Sequence, residues 1–399
     1  MSDSEEKQKS EKSEYEKQRE RFKELKETFA TYFEIEDWQG FRIILGIAAA
    51  HYLPGEMLWV RDIGASGSGK TELLIALLKS PDTTTMEAIT PAAIRGGLIG
   101  GERLLDRING KLVIMKDMAA LTTTRKDIRR EIFGLLRNIS DGSLTSDFGT
   151  REGQITQKAR FDWLLATTGI VESQRQIESL LGERFVDIQW IPGDRLKMTE
   201  RAISNNARLI KIIRPKLKDE VRLLMIEAKK LAHSNPPRLE KEDRKMLAKL
   251  ANDVALCRSP VQFDSRSKHL EAIPMPEVGT RLAQSFSRIV LGMKLLGTRK
   301  WQPYIERLGW DCIPTVRAKV IRELQNKPRT VKSISQKTKL PLKSVYFYLE
   351  QLELLNVVER RREKTTINES SKSVVIDLNE GQGGEVYRLK VDLPDFPIS

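Results

Sequence analysis

The 399-residue chain carries 68 Lys and Arg against 55 Asp and Glu, a net charge of +13 with 40% hydrophobic residues; it has apolar material for two or three domains, and its charge points to a polyanionic partner. Its two cysteines, Cys257 and Cys312, are far apart and lack any C-x-x-C or Cys/His spacing, which excludes a disulfide framework or zinc site and predicts a reducing, cytoplasmic setting. The longest apolar run, at about 43–53, is too short for a bilayer, and the charged beginning has no signal-peptide pattern, so no membrane partner is expected.

Residues 1–28 are almost wholly Glu, Lys, Ser, Gln and Arg, interrupted by Tyr15, Phe22 and Leu25. This predicts a charged helix or tail with no core. From 29 to 53, Phe33, Phe41, Ile44, Ala48 and Tyr52 recur at helical spacing. Then Met57-Leu58-Trp59-Val60 leads into Gly64-Ala65-Ser66-Gly67-Ser68-Gly69-Lys70-Thr71 and a helix-like run, 72–78. A strand, a loop matching G-x-x-x-x-G-K-[ST] and a helix are the context that a phosphate-binding P-loop requires. Glycines let backbone N–H groups approach a triphosphate, and the helix adds its positive end. Gly64, Ser66, Gly67, Ser68, Gly69, Lys70 and Thr71 are the candidate ATP ligands. Lys70 is expected on the β- and γ-phosphates and the Thr71 hydroxyl on Mg²⁺.

Farther on, 83–85 reads as a short strand and 95–101 as a glycine-rich loop. Residues 111–117 are an apolar strand ending in Asp117, placed to order Mg²⁺ at the carboxyl edge of a parallel sheet. Met118 follows where many such ATPases carry a glutamate; Glu131 and Glu172 are the substitutes in sequence. Residues 127–138 form an amphipathic helix, 144–157 a β-hairpin and 160–168 a strand that brings Thr167 or Thr168 toward a γ-phosphate. Arg184 stands just before the next buried strand, either salt-bridged or acting on transition-state charge in a neighbouring subunit. From 195 to 312 the pattern is helical, broken at Pro236-Pro237 and at Pro274 and Pro276. His233 and His269 read as surface residues. Residues 314–362 give three helices (316–325, 331–338, 342–355) and a strand running into a basic turn, with 373–378 and 385–389 completing a winged hairpin. Helix-turn-helix spacing puts Lys343, Ser344, Tyr346 and Tyr348 toward the major groove, with Lys332, Lys337, Arg360, Arg361 and Arg362 on DNA phosphates. A protein-docking role is the alternative for this module.

In their order and spacing these features resemble the AAA+ ATPases, in particular the hairpin-bearing branch that includes minichromosome-maintenance-type replicative helicases. The run from about 37 to 362 is also similar to ATP-binding proteins of phages and mobile elements. The resemblance implies an α/β P-loop NTPase core at 29–194, a helical lid at 195–312, a winged helix-turn-helix domain at 313–390 and a tail at 391–399. It also implies Asp117 as the Walker B acid, Thr167 or Thr168 as sensor 1, the 144–157 hairpin on DNA, Arg184 as arginine finger and Arg281, after Gly279-Thr280, as the sensor 2 residue on the nucleotide. Thr where sensor 1 is usually Asn, and Met118, are departures from that pattern. The expected activity is that of a DNA-dependent ATPase, a hexameric ring-forming helicase or translocase replicating a mobile element or phage. The alternative is an ATP-gated regulator, replication initiator or helicase loader with slow hydrolysis. A small-molecule kinase would explain neither the carboxyl-terminal module nor the charge.

Overall fold

A computed structural model describes residues 3–96, 102–118, 121, 123–147, 153–169, 184–263, 270–362 and 385–395. The chain divides into two compact units, Met1–Ala248 with Thr280–Leu308, and Lys249–Gly279 with Gly309–Ser399. The helical stretch 195–312 is therefore shared between them.

In the first unit, α1 (Asp3–Tyr32) and α2 (Trp38–Ala50) precede β1 (Trp59–Ile63), α3 (Lys70–Leu77) and β2 (Thr83–Thr85). The short α4 (Pro91–Arg95) and α5 (Leu104–Ile108), β3 (Leu112–Met115), α6 (Lys126–Ile139), β4 (Ser143–Asp147), β5 (Gln154–Lys158), β6 (Asp162–Thr167) and β7 (Phe185–Gln189) follow. Next, α7 (Arg195–Arg208) passes through a π-helical turn, Leu209–Ile213, into α8 (Arg214–Ser234). After α9 (Lys241–Arg258) come α10 (Thr280–Leu295) and α11 (Gln302–Cys312); α9 and α11 each cross the division between units.

The protein is a mixed α/β fold around a five-stranded parallel sheet of order β2-β3-β6-β1-β7. Every residue of β1, β3 and β6 is buried, which is why these strands read as continuous apolar runs rather than alternating ones. The exceptions inside β1 are Asp62 and Arg61, the latter binding Asp187 of β7 through two hydrogen bonds of 2.6 and 2.9 Å, both of that pair's side chains 2% exposed. β4 and β5 pair as an antiparallel hairpin with alternating burial; its tip, the 97–101 part of the glycine loop, Glu172 and 180–183 lie outside the described residues.

α1 corrects the expectation of a coreless beginning. Phe22, Leu25 and Phe29 are buried, with the Phe22 and Phe29 rings edge-on to Phe41 of α2 at 6.0 and 4.9 Å. The Tyr15 hydroxyl and the Gln18 amide donate to the Asn235 and Leu224 carbonyls at 2.6 and 3.2 Å. One apolar residue per turn suffices for a helix that contributes one narrow stripe. α2 is apolar on all sides and buried from Ile43 to Ala50, and it meets α10 so closely that a Cβ on Gly292 would overlap the Gly46 carbonyl.

The second unit adds α12 (Thr315–Gln325), β8 (Arg329–Thr330), α13 (Val331–Thr338), α14 (Leu342–Leu354), β9 (Val358–Arg362) and β10 (Glu385–Leu389). The strands form an antiparallel sheet of order β8-β10-β9. Buried Ile321, Leu324, Ile334, Val345, Leu349 and Leu352 form the interior of the three helices. Arg317 locks α12 to α14 through Gln351 Oε1, at 2.7 and 3.2 Å, and donates to the Cys257 and Ser259 carbonyls. The residues after β10 are strapped down: Trp310 and Gln325 both donate to the Pro394 carbonyl at 3.0 Å. The expected strand 373–378 and His269 lie outside the described residues.

Candidate functional site

The carboxyl edge of the sheet carries the Gly64–Thr71 loop, between the end of β1 and the start of α3. Gly67 and Gly69 have φ of 75° and 85°, a left-handed conformation that glycine adopts without strain. The Gly64 N–H donates to the Thr167 carbonyl at the end of β6 at 3.1 Å. On the other side, Trp190, one residue past β7, donates its indole N–H to the Ser68 carbonyl at 2.8 Å. The loop is therefore clamped to both flanking strands. Ser66 and Gly67 are exposed and Thr71 half-buried, whereas the buried Ser68 Oγ has no hydrogen-bond partner among the described residues.

Lys70 opens α3 and folds back over the loop, its Nζ donating to the Gly64 and Ala65 carbonyls at 2.9 and 3.0 Å. Burial lowers its ammonium pKa, and the Asp62 and Asp117 carboxylates oppose that shift. Asp117, exposed two residues past β3, is thus on the same side of the sheet as Lys70. Asp62, fully buried in β1, was missed by sequence reasoning; an ionisable residue inside an apolar strand is the signal that marks it. Thr167 is buried, its Oγ1 3.4 Å from the Thr168 carbonyl, and Thr168 is exposed beside it. Met118 is fully buried in the apolar cluster with Ile132, Phe133 and Leu165. Glu131 is paired with Arg95 at 2.6 Å.

The amino edge gathers arginines. Arg184 immediately precedes β7, its side chain 9% exposed and 3.8 Å from Asp141. Burial lowers its guanidinium pKa, and the neighbouring charges of Arg281 and Arg137 act the same way against Asp141. Arg184, Arg281, Ser140, Asp141 and Ser285 line one pocket of about 360 Å³ with Trp59, the first residue of β1. Arg281, expected on the nucleotide, stands with Arg184, the length of β1 from the Gly64–Thr71 loop of its own copy, about 15 Å at the rise of a strand. Lid-type spacing in sequence does not reveal which sheet edge a helix start reaches.

A second cleft of about 930 Å³ adjoins this pocket. It is organised by Asp162, the first residue of β6, whose carboxylate accepts from Leu58 N at 2.6 Å and from Arg288 at 2.9 and 3.0 Å and lies 2.9 Å from His51 Nδ1. Burial alone would raise the Asp162 pKa, but the His51 hydrogen bond and the Arg288 charge outweigh it and hold the carboxyl below its usual range. An ionised carboxylate only accepts, so His51 Nδ1 carries the proton.

In the second unit Lys332, Lys337, Lys343 and Tyr346 are exposed and Ser344 is half-buried. α13 begins on the Thr330 hydroxyl and ends at Lys339, whose φ of 58° makes the tight turn to α14. Arg360 and Arg361, expected on phosphates, meet local carboxylates at the surface: Arg360 pairs with Glu353 and Glu385 at 3.5 and 3.3 Å, and Arg361 with Glu359 at 2.8 Å. Arg362 ends β9 opposite Glu385. His233 is exposed, as expected. No helix among the described residues is long and apolar enough to cross a membrane. Compared with known proteins, the chain matches no family model and no curated protein.

Proposed function

We infer that the protein is an ATP-dependent, DNA-binding ATPase of the AAA+ kind, acting as a ring-forming helicase or translocase. The observation that carries this is the glycine loop at the carboxyl end of a central parallel strand, with Lys70 at its helix and Asp117 on the same edge. Crevices of parallel sheets open at that edge, and backbone donors with a lysine suit phosphate. Gly64, Ser66, Gly67, Ser68, Gly69 and Lys70 would hold the phosphates. Thr71 and Asp117 would hold Mg²⁺, which takes one or two protein oxygens besides phosphate and water and would neutralise phosphate charge. Arg184 and Arg281 stand on the opposite edge, so their work on nucleotide would be done for a neighbouring copy, in a hexameric ring. The three helices and antiparallel sheet of the second unit support a winged helix, with Lys332, Lys337, Lys343, Ser344 and Tyr346 as its DNA contacts and Arg360 to Arg362 as the flank of its wing.

One observation favours the second reading, an ATP-gated regulator, initiator or loader with slow turnover. Met118 is core, and Glu131 is held by Arg95, so neither provides a free carboxylate for the attacking water. The deciding experiment is steady-state ATP hydrolysis with and without single-stranded and duplex DNA, in wild type, Lys70→Ala and Arg184→Ala. DNA stimulation abolished by both substitutions, with activity restored on mixing the two variants, establishes a shared-site motor. ATP binding with turnover at background on every DNA rejects the motor and leaves the switch.

A further inference from the structure

Two surfaces of the first unit lie on opposite sheet edges. On the carboxyl edge, α7 contributes no buried residue. It starts at Asp194, just past the Trp190 that clamps the glycine loop, and it leads through the π-turn to Arg214, which grips Glu72 beside Thr71 at 2.7 and 2.9 Å. Its inner face is polar: Arg201 and Asn205 donate to the Ala30, Phe33 and Tyr32 carbonyls that end α1. Its outer face presents Leu196, Ile203 and, one turn into the π segment, Ile210, 69%, 73% and 70% exposed. Seven residues apart, they lie in one row along the helix. On the amino edge, the 930 Å³ cleft has apolar Leu53, Met57, Phe161 and Leu291 within a lining that also carries Arg160 and Lys229, and it shares Glu56, Met57 and Gln284 with the arginine pocket. Contiguous exposed apolar side chains mark interaction surfaces.

We propose that the Leu196–Ile203–Ile210 row of one copy seats in the amino-edge cleft of the next. This rests on the shared-site reading: when Arg184 and Arg281 of one copy face the Gly64–Thr71 loop of another, α7, which starts just past the Trp190 clamp on that loop, is carried to the cleft that adjoins the arginines. The contact joins two different surfaces, so it repeats head to tail, the arrangement a ring needs, whereas a self-complementary patch gives dimers. It also makes α7 the element by which loop occupancy is reported to the neighbour, because Trp190 at one end and Arg214 at the other are tied to the loop and to α3.

Single-cysteine pairing tests it on the full chain, since Cys257 and Cys312 are buried. Ile203→Cys and Gln284→Cys proteins are mixed and treated with a short bis-maleimide, with and without ATP and Mg²⁺, while fluorescent ATP binding is followed in the same samples. Covalent dimers in the mixture, absent from either protein alone and abolished by adding Leu196→Asp and Ile210→Asp to the Ile203→Cys chain, are the expected result. Dimers from Ile203→Cys alone show a self-complementary contact and overturn the proposal, as does a mixture without crosslinks. ATP binding that persists without crosslinks removes the docking and leaves the nucleotide reading. Crosslinks in protein that binds no ATP do the reverse.

Discussion

The glycine loop on one edge of the parallel sheet and the cleft on the other are held by different materials. The loop is held through main-chain carbonyls, with Lys70 on the Gly64 and Ala65 carbonyls, Trp190 on the Ser68 carbonyl and Gly64 on the Thr167 carbonyl, while a buried ion pair near it, Arg307 with Asp37, grips the end of β7 rather than the loop. The amino edge is held by buried ions, Asp162 with Arg288 and His51. Clamps on carbonyls shape a loop through its backbone. Buried ion pairs stiffen a sheet end, and they make each partner dependent on the other. Substitutions on the amino edge should therefore act on stability, and those on the carboxyl edge on ligand affinity.

The largest effect is expected from Asp162→Ala, which strands Arg288 and His51 without their carboxylate. Breaking a buried pair from one side costs about 3–5 kcal/mol, read as a lower urea midpoint for the first unit, with ATP affinity of the remaining folded protein unchanged. Asp162→Asn keeps an acceptor for Leu58 N and should cost less. The two variants also sharpen the pH dependence. A carboxyl held below its usual range stabilises the fold above the unfolded value of about 4 and loses that contribution as pH falls through the lower folded value. Asp162→Asn should flatten this acid limb. An equal acid limb in both proteins would remove Asp162 from its central place on this edge.

Gly69→Ala tests the other edge. With φ at 85° and nothing within 4 Å of the added Cβ, its cost is backbone strain of about 1–2 kcal/mol. Thermal unfolding should fall by a few degrees, and ATP affinity by tenfold or more as the loop relaxes. An affinity loss no larger than that of Asp162→Ala would erase the contrast between the edges.

The edges also differ in how far they could be read in advance. Gly64 to Thr71 is eight consecutive residues whose spacing is the chemistry, and the strands and helices around it announce themselves by apolar runs and 3.6-residue spacing. The clamps do not: Trp190 is 122 residues from Ser68, Arg288 126 from Asp162, and Arg307, which grips Asp37 at the start of α2, 270 away. Pairing over such separations leaves no periodic trace. Arg61, Asp62 and Asp187 inside apolar strands show only that ions are buried there, not which partner each finds. For the same reason α1 looked coreless, and the pairing of Arg281 with Arg184 in one pocket was not foreseen.

Trp190→Phe isolates one clamp. It keeps an aromatic ring but removes the pyrrole half with its N–H, so the Ser68 carbonyl loses a donor at a cost of about 1 kcal/mol, added to the lost packing of a buried ring. ATP affinity should fall up to tenfold; unchanged affinity would mean that the loop holds its shape without β7.

The smallest effect separates the two kinds of edge by sign. Ser68 Oγ is buried without a hydrogen-bond partner among the described residues, so folding keeps its desolvation cost without the compensating bond. Ser68→Ala removes that cost and should leave the protein unchanged or more stable by a few tenths of a kcal/mol, within the ±0.5 kcal/mol typical of mild substitutions. Because the hydroxyl sits in the loop proposed to take the phosphates, the same substitution should weaken ATP binding by about threefold to tenfold. Stability and affinity moving in opposite directions, measured by thermal unfolding without nucleotide and by fluorescent ATP titration, is what a loop kept for a ligand predicts. A loss of stability with affinity unchanged would make Ser68 a structural residue and leave the loop's anion site to its backbone and Lys70.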